Sequence, residues 1–190
     1  MDSKPKSLIV ISSPSGGGKT TVVRHLMKIY PNMRFSVSAT TRNKRPNETY
    51  GVDYIYISKD DFQKKIKNGE LVEYEEIFGN YYGTLRSEIE NALSTDEIRI
   101  FDVDVKGALN LKLKYPEDSM LVFLMPPSEE ALKQRLTSRS TESDKEIETQ
   151  LEKAKMEMDM TEGFDYVIIN DNLQDTFRQI EEIAAKHLKK

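Results

Sequence analysis

The chain of 190 residues contains no cysteine, which excludes a disulfide framework and any metal site built from thiolates. No apolar run approaches the ~20 residues that a membrane-spanning helix needs, so no membrane partner is expected. The first six residues are polar and include a proline, unlike the apolar core of a signal peptide. With these features absent, a cytoplasmic protein is the expectation.

The chain also has no excess of positive charge and few histidines. The formal net charge is −4 at pH 7, and non-specific nucleic-acid binding depends on neutralising phosphates. No nucleic-acid partner is therefore expected. The two histidines, His25 and His187, are isolated, and packing or surface roles fit them better than catalysis.

What the chain does have is a glycine-rich stretch, residues 12–21, with the sequence SSPSGGGKTT. A short apolar run from Leu8 to Ile11 precedes it and is typical of a buried parallel strand. Apolar residues at helical spacing follow it, from Thr21 to Tyr30. Strand, glycine-rich turn and helix in this order are the context that a phosphate-binding loop requires.

The chemistry of such a loop follows from its residue types. Glycines let successive backbone N–H groups converge on an anion, and the helix start adds its positive end. Lys19 is expected to reach the β- and γ-phosphates of a nucleoside triphosphate, and the Thr20 hydroxyl to bind Mg²⁺. Ser13 stands where the usual pattern begins with glycine, which matters only if that residue needs a positive φ. The alternative is a glycine-rich turn that binds no ligand.

Strands alternate with helices along most of the chain, which predicts an α/β fold. The expected architecture is a three-layer P-loop sandwich, in which a mostly parallel sheet is covered on both faces. Residues 39–90 interrupt this alternation, because two or three strands follow one another there without crossover helices. We interpret them as an inserted α+β lobe on a core of residues 1–38 and 91–190. Residues 136–155 are expected to form a mobile lid.

The sequence also predicts local features. Ser58 and Ser128 have the position of helix caps, and Asn68-Gly69 that of a helix stop. Residues 79–83 are expected to form a tight loop and residues 84–93 a helix. The charged segment from Arg135 to Gln150 has few apolar residues, so a regular helix is expected only from Glu152 to Met160.

A second set of residues is suited to bind an anion and a base. Arg42 and Arg45 share one loop, and the planar guanidinium suits phosphate oxygens; a solvated surface is the alternative. Glu73 lies in a β-type segment, where an inward-facing carboxylate would need donors such as a purine edge; a solvated face is the alternative. Asp102 ends an apolar strand, as an acid that supports Mg²⁺ in a nucleotide-binding protein does.

Ordered motifs along nearly the whole chain, from Leu8 to about Asn172, resemble those of the guanylate kinase family. Beyond the phosphate loop, the motifs that carry this resemblance are residues 36–48 (SVSATTRNKRPNE), 51–54 (GVDY), 79–84 (GNYYGT), 101–107 (FDVDVKG) and 169–171 (IND), with Arg135, Leu136 and Arg139. The resemblance implies Mg²⁺-dependent transfer of the γ-phosphoryl group of ATP to GMP, and to dGMP as well. Its products are ADP and GDP, and the expected state is a monomer or a weak oligomer.

The resemblance also implies a role for each matching residue. The expected ATP-binding residues are Ser15, Gly16, Gly17, Gly18, Lys19, Thr20, Thr21, Arg135 and Asn170. The expected GMP-binding residues, among which Glu73 and Thr84 read the guanine edge, are Ser38, Arg42, Arg45, Tyr54, Glu73, Tyr82, Thr84 and Asp104. Thr20 and Asp102 are expected to support Mg²⁺. The expected catalytic residues are Lys19, Arg45, Arg135 and Arg139.

The chain departs from the family pattern in the lid. Ser140 stands where a glycine often follows the lid arginine, and Gln150 where a second lid arginine is usual. Gln150 is expected to affect the rate more than the reaction. The alternative function is a non-catalytic guanylate-kinase-like domain that binds phosphorylated peptides. Such domains usually lose the phosphate loop, whereas Lys19 and Asp102 are present here.

Overall fold

The fold comes from a computed structural model that describes residues 5–77, 79–95, 97–138 and 144–188, without the side chains of residues 144–146. The strands in these ranges are β1 Leu8–Ser12, β2 Met33–Phe35, β3 Ala39–Thr40, β4 Ile55–Tyr56, β5 Leu71–Ile77, β6 Asn80–Leu85, β7 Ile98–Asp102, β8 Ser119–Met125 and β9 Tyr166–Ile169. The helices are α1 Lys19–Ile29, α2 Lys59–Lys67, α3 Arg86–Ser94, α4 Val105–Lys114, α5 Glu129–Thr137, α6 Asp144–Asp159 and α7 Leu173–His187. None of these helices combines the length and apolar character needed to cross a bilayer.

The larger sheet has the strand order β2-β7-β1-β8-β9, and its described pairings are all parallel. Every residue of β1 is buried, because this central strand is covered by helices on both faces. Ile9 and Ile11 face one helical layer with Leu26 of α1 and Ile180 of α7. The predicted parallel sheet is therefore confirmed.

The opposite face of the same sheet carries the other helical layer. Leu8 and Val10 of β1 pack there with Ile89 of α3 and with Ala108 and Leu111 of α4. Alternate residues of one strand thus enter two separate cores, as the two-residue period of a strand requires. The three-layer arrangement is confirmed as well.

The smaller sheet has the strand order β4-β3-β6-β5 and lies within residues 39–85. β5 and β6 form an antiparallel hairpin, and β3 pairs with β6 on its other side. α2 covers this sheet through Phe62, which packs with Ala39 and Leu71 in a core of its own. Ser58 caps α2 by accepting from the backbone N–H of Asp61 at 3.0 Å, which confirms the predicted cap.

The prediction of a tight loop over residues 79–83 is wrong. Residues 80–85 form β6, and the turn is confined to its beginning, where Gly79 has a φ of 75°. Tyr81 and Tyr82 pair with Glu76 and Glu75 of β5, so hairpin pairing extends the strand through the hydroxyl-rich segment. Consequently α3 begins at Arg86, two residues later than predicted.

The expected irregular structure before Glu152 is also wrong where the structure describes it, because α6 begins at Asp144. Ile147, Leu151 and Ala154 recur at helical spacing and pack against Leu132 and Leu136 of α5. Ser128 caps α5 by accepting from the N–H of Ala131 at 3.1 Å, as predicted. The helix α4 was not predicted.

Candidate active site

One cavity of about 430 Å³ lies at the carboxyl ends of β1 and β7. Its walls come from the loop after β1, from the β5–β6 hairpin and from α6. The sheet extends to one side of β1 through β7 and β2, and to the other through β8 and β9. In open α/β sheets, ligands bind at the carboxyl ends of the strands where the strand order reverses.

The glycine-rich loop runs from the end of β1 to Lys19, the first residue of α1. Gly16 and Gly18 have φ values of 83° and 97°, so the left-handed positions fall on glycines. The Ser13 hydroxyl donates to the carbonyl of Pro14 at 2.9 Å, and a Cβ on Gly17 would lie only 2.4 Å from that hydroxyl oxygen. The serine is therefore accommodated because the facing residue is glycine.

The loop brings a lysine, a hydroxyl and a carboxylate together. Nζ of Lys19 donates to the Ser13 carbonyl at 2.8 Å and lies 3.3 Å from the Ser13 hydroxyl oxygen. The register pairs Asp102 of β7 with Ile11 of β1, next to the loop. Burial raises the pKa of Asp102, while the Lys19 ammonium and a hydrogen bond from Thr20 oppose the rise. Thr20 and Asp102, predicted as a pair, are thus in contact.

The second wall carries hydroxyls and an arginine. Ser38, Tyr54 and Tyr82 line the cavity, and the two tyrosine rings meet edge to face at a centroid distance of 5.9 Å. The guanidinium of Arg42 lies over the Tyr54 ring, 5.4 Å from its centroid. Such cation–π contacts orient a guanidinium as well as stabilise it. Arg42 thereby stands beside the tyrosine pair.

Glu48 holds Arg42 in this position, a role that was not predicted from its place in the motif. Its two carboxylate oxygens accept from Nη1 and Nη2 of Arg42 at 3.0 and 2.7 Å. They also accept from the backbone N–H of Arg45 and the hydroxyl of Tyr56, each at 2.8 Å. The hydrogen bonds from Arg42 are the main cause that lowers the pKa of Glu48 to about 2, and those from Arg45 and Tyr56 add to it.

At the inner end of the cavity, Glu73 and Thr84 face each other across the hairpin. The Thr84 hydroxyl donates to Oε1 of Glu73, whose residue is only 9% exposed. Burial is the main cause that raises the pKa of Glu73. A Cβ on Gly107 would lie 3.0 Å from Oε2 of Glu73 and 3.1 Å from Oδ1 of Asp104, so glycine there lets both carboxylates approach.

The third wall is the face of α6 that carries Gln150, Lys153 and Glu157. Nζ of Lys153 lies 3.5 Å from Glu75, 3.7 Å from Glu157 and 4.0 Å from Asp104. Burial and the neighbouring Asp104 raise the pKa of Glu75 to about 7, and Lys153 opposes the rise. Neither Glu75 nor Glu157 was singled out from the sequence.

Arg135 and Asn170 meet beside the glycine-rich loop. Nη2 of Arg135 donates to the backbone carbonyl of Asn170 at 2.8 Å. The Asn170 side chain is buried, and its amide donates to the carbonyl of Gly17 at 2.8 Å. The hydroxyl of Thr176 lies 2.9 Å from the amide oxygen. This amide therefore contacts the loop itself, while its predicted contact with adenine stays a prediction.

Known proteins resemble this chain over nearly its full length. The family model for guanylate kinase matches residues 5–187. A guanylate kinase of Chlorobium luteolum is 47% identical over 173 residues, which are 91% of this chain and 88% of that protein. One of Salinibacter ruber is 43% identical over 95% of this chain and 98% of that protein.

The chain belongs to the guanylate kinase family. The crystal structure of a guanylate kinase from Anaplasma phagocytophilum matches with a TM-score of 0.77 at 31% identity, over 97% of this chain and 88% of that one. A shikimate kinase from Acinetobacter baumannii, in complex with shikimate, has a TM-score of 0.51 at 17% identity and shares the fold. It covers 95% of this chain and 93% of that one.

Membership of the guanylate kinase family makes this chain a nucleoside monophosphate kinase, as the sequence predicted. None of the matches reported above favours the non-catalytic alternative. The predicted site residues that line the cavity are Ser15, Lys19, Ser38, Tyr54, Glu73, Tyr82, Asp102 and Asp104. Those in contact with a lining residue or with the loop are Thr20, Arg42, Thr84 and Asn170, and Arg135 contacts Asn170.

Gly16, Gly17 and Gly18 form the loop itself, between the lining residues Ser15 and Lys19. The other predicted residues either do not line the cavity or lie outside the description. Arg45 is exposed in the loop before β4, and Thr21 is exposed in the first turn of α1. Arg139, the predicted lid arginine, and Ser140 lie outside the described residues. Their predicted roles, like the other residue roles taken from the family, stay predictions.

Proposed function

We propose that this protein transfers the γ-phosphoryl group of ATP to GMP, and to dGMP as well, in a reaction that requires Mg²⁺. The observation that carries the proposal is one cavity that joins two different sites. Lys19 of the phosphate loop and the buried carboxylate of Glu73 both line it. A donor phosphate and an acceptor base can therefore occupy the same cavity.

The donor side would bind ATP mainly through its phosphates. Backbone N–H groups of the glycine-rich loop and the start of α1 suit anionic oxygens, and Lys19 adds a full positive charge. Arg135, fixed by its bond to the Asn170 carbonyl, stands at the edge of this loop and would lie against the adenine. The stacking face of a guanidinium suits an aromatic base.

The residues near the loop fit Mg²⁺. The Thr20 hydroxyl and the Asp102 carboxylate are in contact and offer the oxygen ligands that this hard cation prefers. No cluster of three or more histidine, cysteine or acidic residues suited to a metal occurs in the described parts of the chain. Mg²⁺ is usually bound through one or two carboxylates together with substrate phosphates. When bound, the cation would neutralise charge on the phosphates.

The acceptor side would bind GMP by its two ends. The Glu73 carboxylate can accept from N1–H and the exocyclic amine of guanine, beside the Thr84 hydroxyl. Ser38, Tyr54 and Tyr82 offer hydroxyls for the phosphate, and Arg42 lies over the Tyr54 ring with a charge and a planar fork.

The acceptor is already an oxyanion, so the reaction needs no strong general base. Catalysis then consists of alignment and of stabilising charge on the transferred phosphoryl group, to which Lys19 contributes. By the resemblance, Arg45 and Arg139 supply further charge. We also propose that the lobe of residues 39–90 and the lid of residues 136–155 close over the core and exclude water, which would otherwise hydrolyse ATP.

The test is an assay of ADP release from ATP–Mg²⁺ with each nucleoside monophosphate in turn. We expect rapid release with GMP and rates lower by several orders of magnitude with AMP, which leaves the Glu73 carboxylate unpaired. AMP turnover within tenfold of GMP turnover contradicts the role of Glu73. No release with GMP contradicts the proposed function.

A further inference from the structure

The hairpin of β5 and β6 contains an irregularity just before Glu73. Leu71 pairs with Leu85 and Glu73 pairs with Thr84, so two residues of β5 advance for one residue of β6. Val72 is the extra residue and has no partner in the register of these two strands. The irregularity is a β-bulge, a feature that redirects the side chains that follow it.

The bulge decides which side of the sheet Glu73 faces. Neighbouring residues of a strand point to opposite faces, and the two partners on β6, Leu85 and Thr84, are neighbours. Leu71 accordingly packs in the core under α2, whereas Glu73 meets the Thr84 hydroxyl in the cavity. In a regular strand, Glu73 would share the face of Leu71 and turn its carboxylate towards that apolar core. The direction of the Glu73 side chain therefore depends on the bulge at Val72.

The carbonyl of the bulged residue is bound by a lysine from another element. Nζ of Lys114, in the last turn of α4, donates to the backbone carbonyl of Val72. A bulge takes its extra residue out of the ladder, and a backbone carbonyl inside a protein needs a donor. The Val72 side chain is buried in the same core as Ala108 and Leu111 of α4. Lys114 thus supplies the donor at the point where the strand changes its register.

The same helix approaches the carboxylate of Glu73. Gly107 and Lys114 are seven residues apart, so they lie on one face of α4 about two turns apart. A Cβ on Gly107 would lie 3.0 Å from Oε2 of Glu73. Burial above all, and then the nearby Asp104, raise the pKa of Glu73, while the hydrogen bonds from Thr84 and the Lys114 ammonium oppose the rise. Lys114 therefore acts on the charge of Glu73 as well as on its backbone.

We propose that Lys114 is a positioning residue for the acceptor base, because its bond to the bulge at Val72 aims the Glu73 carboxylate at guanine. The proposal rests on the proposed function, in which Glu73 reads the guanine edge. Lys114 does not line the cavity, so it acts through Glu73 and not on the substrate. Without Lys114 the bulge relaxes, and the hydrogen bonds that guanine donates through N1–H and its exocyclic amine become weaker.

The experiment compares kcat/KM for GMP and for inosine monophosphate (IMP) in the wild type, in Lys114→Met and in Lys112→Met. IMP keeps N1–H but lacks the exocyclic amine, so the GMP-to-IMP ratio measures the contact with Glu73. Lys114→Met should lower this ratio by on the order of tenfold, the worth of one hydrogen bond to a charged group. It should also raise the KM for GMP, while kcat and the KM for ATP change little.

Lys112→Met is the matched control, because Lys112 lies in the same last turn of α4. Its ammonium donates to both carboxylate oxygens of Asp165 at 2.9 Å and to the Ser119 carbonyl at 3.2 Å. These partners belong to β8 and to the residue before β9. The control variant loses an ammonium with several bonds, and it should keep the wild-type ratio whatever its melting temperature.

Lys114→Arg is a second variant that keeps a charged donor, and it should keep most of the wild-type ratio. The ratio is taken within each variant, so a smaller folded fraction affects both substrates equally. An unchanged ratio in Lys114→Met, an equal fall in Lys112→Met, or a fall in Lys114→Arg as large as that in Lys114→Met overturns the inference. Each of these results still includes transfer to GMP, whereas absence of transfer in the wild type is the failure of the proposed function.

Discussion

At the scale of single residues, the second wall of the cavity depends on the carboxylate of Glu48, which positions Arg42 without itself lining the cavity. Glu48 collects four hydrogen bonds from the loop and from Tyr56, and it raises the pKa of Arg42 above its ordinary value. Burial, and after it the hydrogen bond to Glu48, raises the pKa of Tyr56 to about 12. Both partners therefore keep their protons, and Arg42 keeps its orientation.

Glu48→Gln is expected to raise the KM for GMP by roughly tenfold with little change in kcat. The exchange keeps the size of the side chain, but it removes the negative charge and replaces one accepting oxygen with an NH2 group that faces a donor. Both effects loosen Arg42. Steady-state kinetics with GMP varied at saturating ATP measures this. Glu70→Gln is the control, because Glu70 pairs with Lys65 at 2.7 Å and does not line the cavity. Equal KM values in the two variants contradict a positioning role for Glu48.

Glu75 makes the stability of the protein depend on pH. Its pKa is raised from 4.5 to about 7 by burial and by Asp104, against the opposing Lys153. Between these pH values the folded state binds more protons than the unfolded state, so the free energy of unfolding falls as pH rises. Glu75→Gln removes this titration. The melting temperature of the variant relative to the wild type should therefore be higher at pH 8 than at pH 5.

Thermal unfolding of both proteins at these two pH values checks the sign. Loss of the Glu75–Lys153 ion pair also destabilises the variant, so the test is the change in the melting-temperature difference between pH 5 and pH 8. A difference in melting temperature that stays constant between pH 5 and pH 8, or that falls, contradicts the raised pKa of Glu75.

At the scale of elements, α6 supplies the third wall of the cavity. Gln150 and Lys153 are one helical turn apart and both line the cavity. Oε1 of Gln150 is buried and has no hydrogen-bond partner within the described residues. Gln150, at the position where the family resemblance predicts a lid arginine, thus faces the cavity with a neutral amide.

Gln150→Arg is expected to raise kcat on the order of tenfold with little change in the KM for GMP. An arginine would add a permanent charge near the transferred phosphoryl group, where such charges stabilise the transition state. Single-turnover rates should be measured too, because slow lid opening could conceal a faster chemical step. Met156→Arg is the control, since Met156 is on the same helix but 62% exposed. An unchanged or slower chemical step shows that residue 150 does not act on the phosphates.

Elements with local signals could be predicted from the sequence. The phosphate loop has its strand, glycines and lysine in one stretch, and the caps at Ser58 and Ser128 lie within three residues of their partners. The strand β6 and the first turns of α6 could not be predicted in the same way. Their stability comes from pairing with β5 and packing on α5, which are tertiary contacts.

The same distinction between local signals and tertiary contacts applies to the candidate site. Tyr54 and Tyr82 of the motifs, and Glu73 of the β-type segment, were predicted and are brought into the cavity. The contacts of Glu75 and Lys153 were not predicted, because they join β5 to a helix 78 residues later in the chain. Such a pair depends on the packing of α6, for which the charged sequence gave no clear signal.

At the scale of the whole molecule, the cavity exists because core, hairpin and α6 meet. Lys19 lies at this meeting point and contacts only the loop through its described hydrogen bonds, not the apolar core. Lys19→Ala is expected to reduce phosphoryl transfer by at least a thousandfold while the melting temperature changes little. Lys28→Ala, in the last turn of the same helix, is the control and should keep full activity. A Lys19 variant that unfolds or keeps most of its activity contradicts this role.

If the cavity holds donor and acceptor together, the two react with each other and not with water. The most direct measurement is the yield of both products from ATP–Mg²⁺ and GMP, separated by chromatography during one time course. We expect GDP and ADP in equal amounts at every time point, with little ADP formed when GMP is left out. ADP that forms without a matching amount of GDP would mean that water is the acceptor, and it would contradict the account.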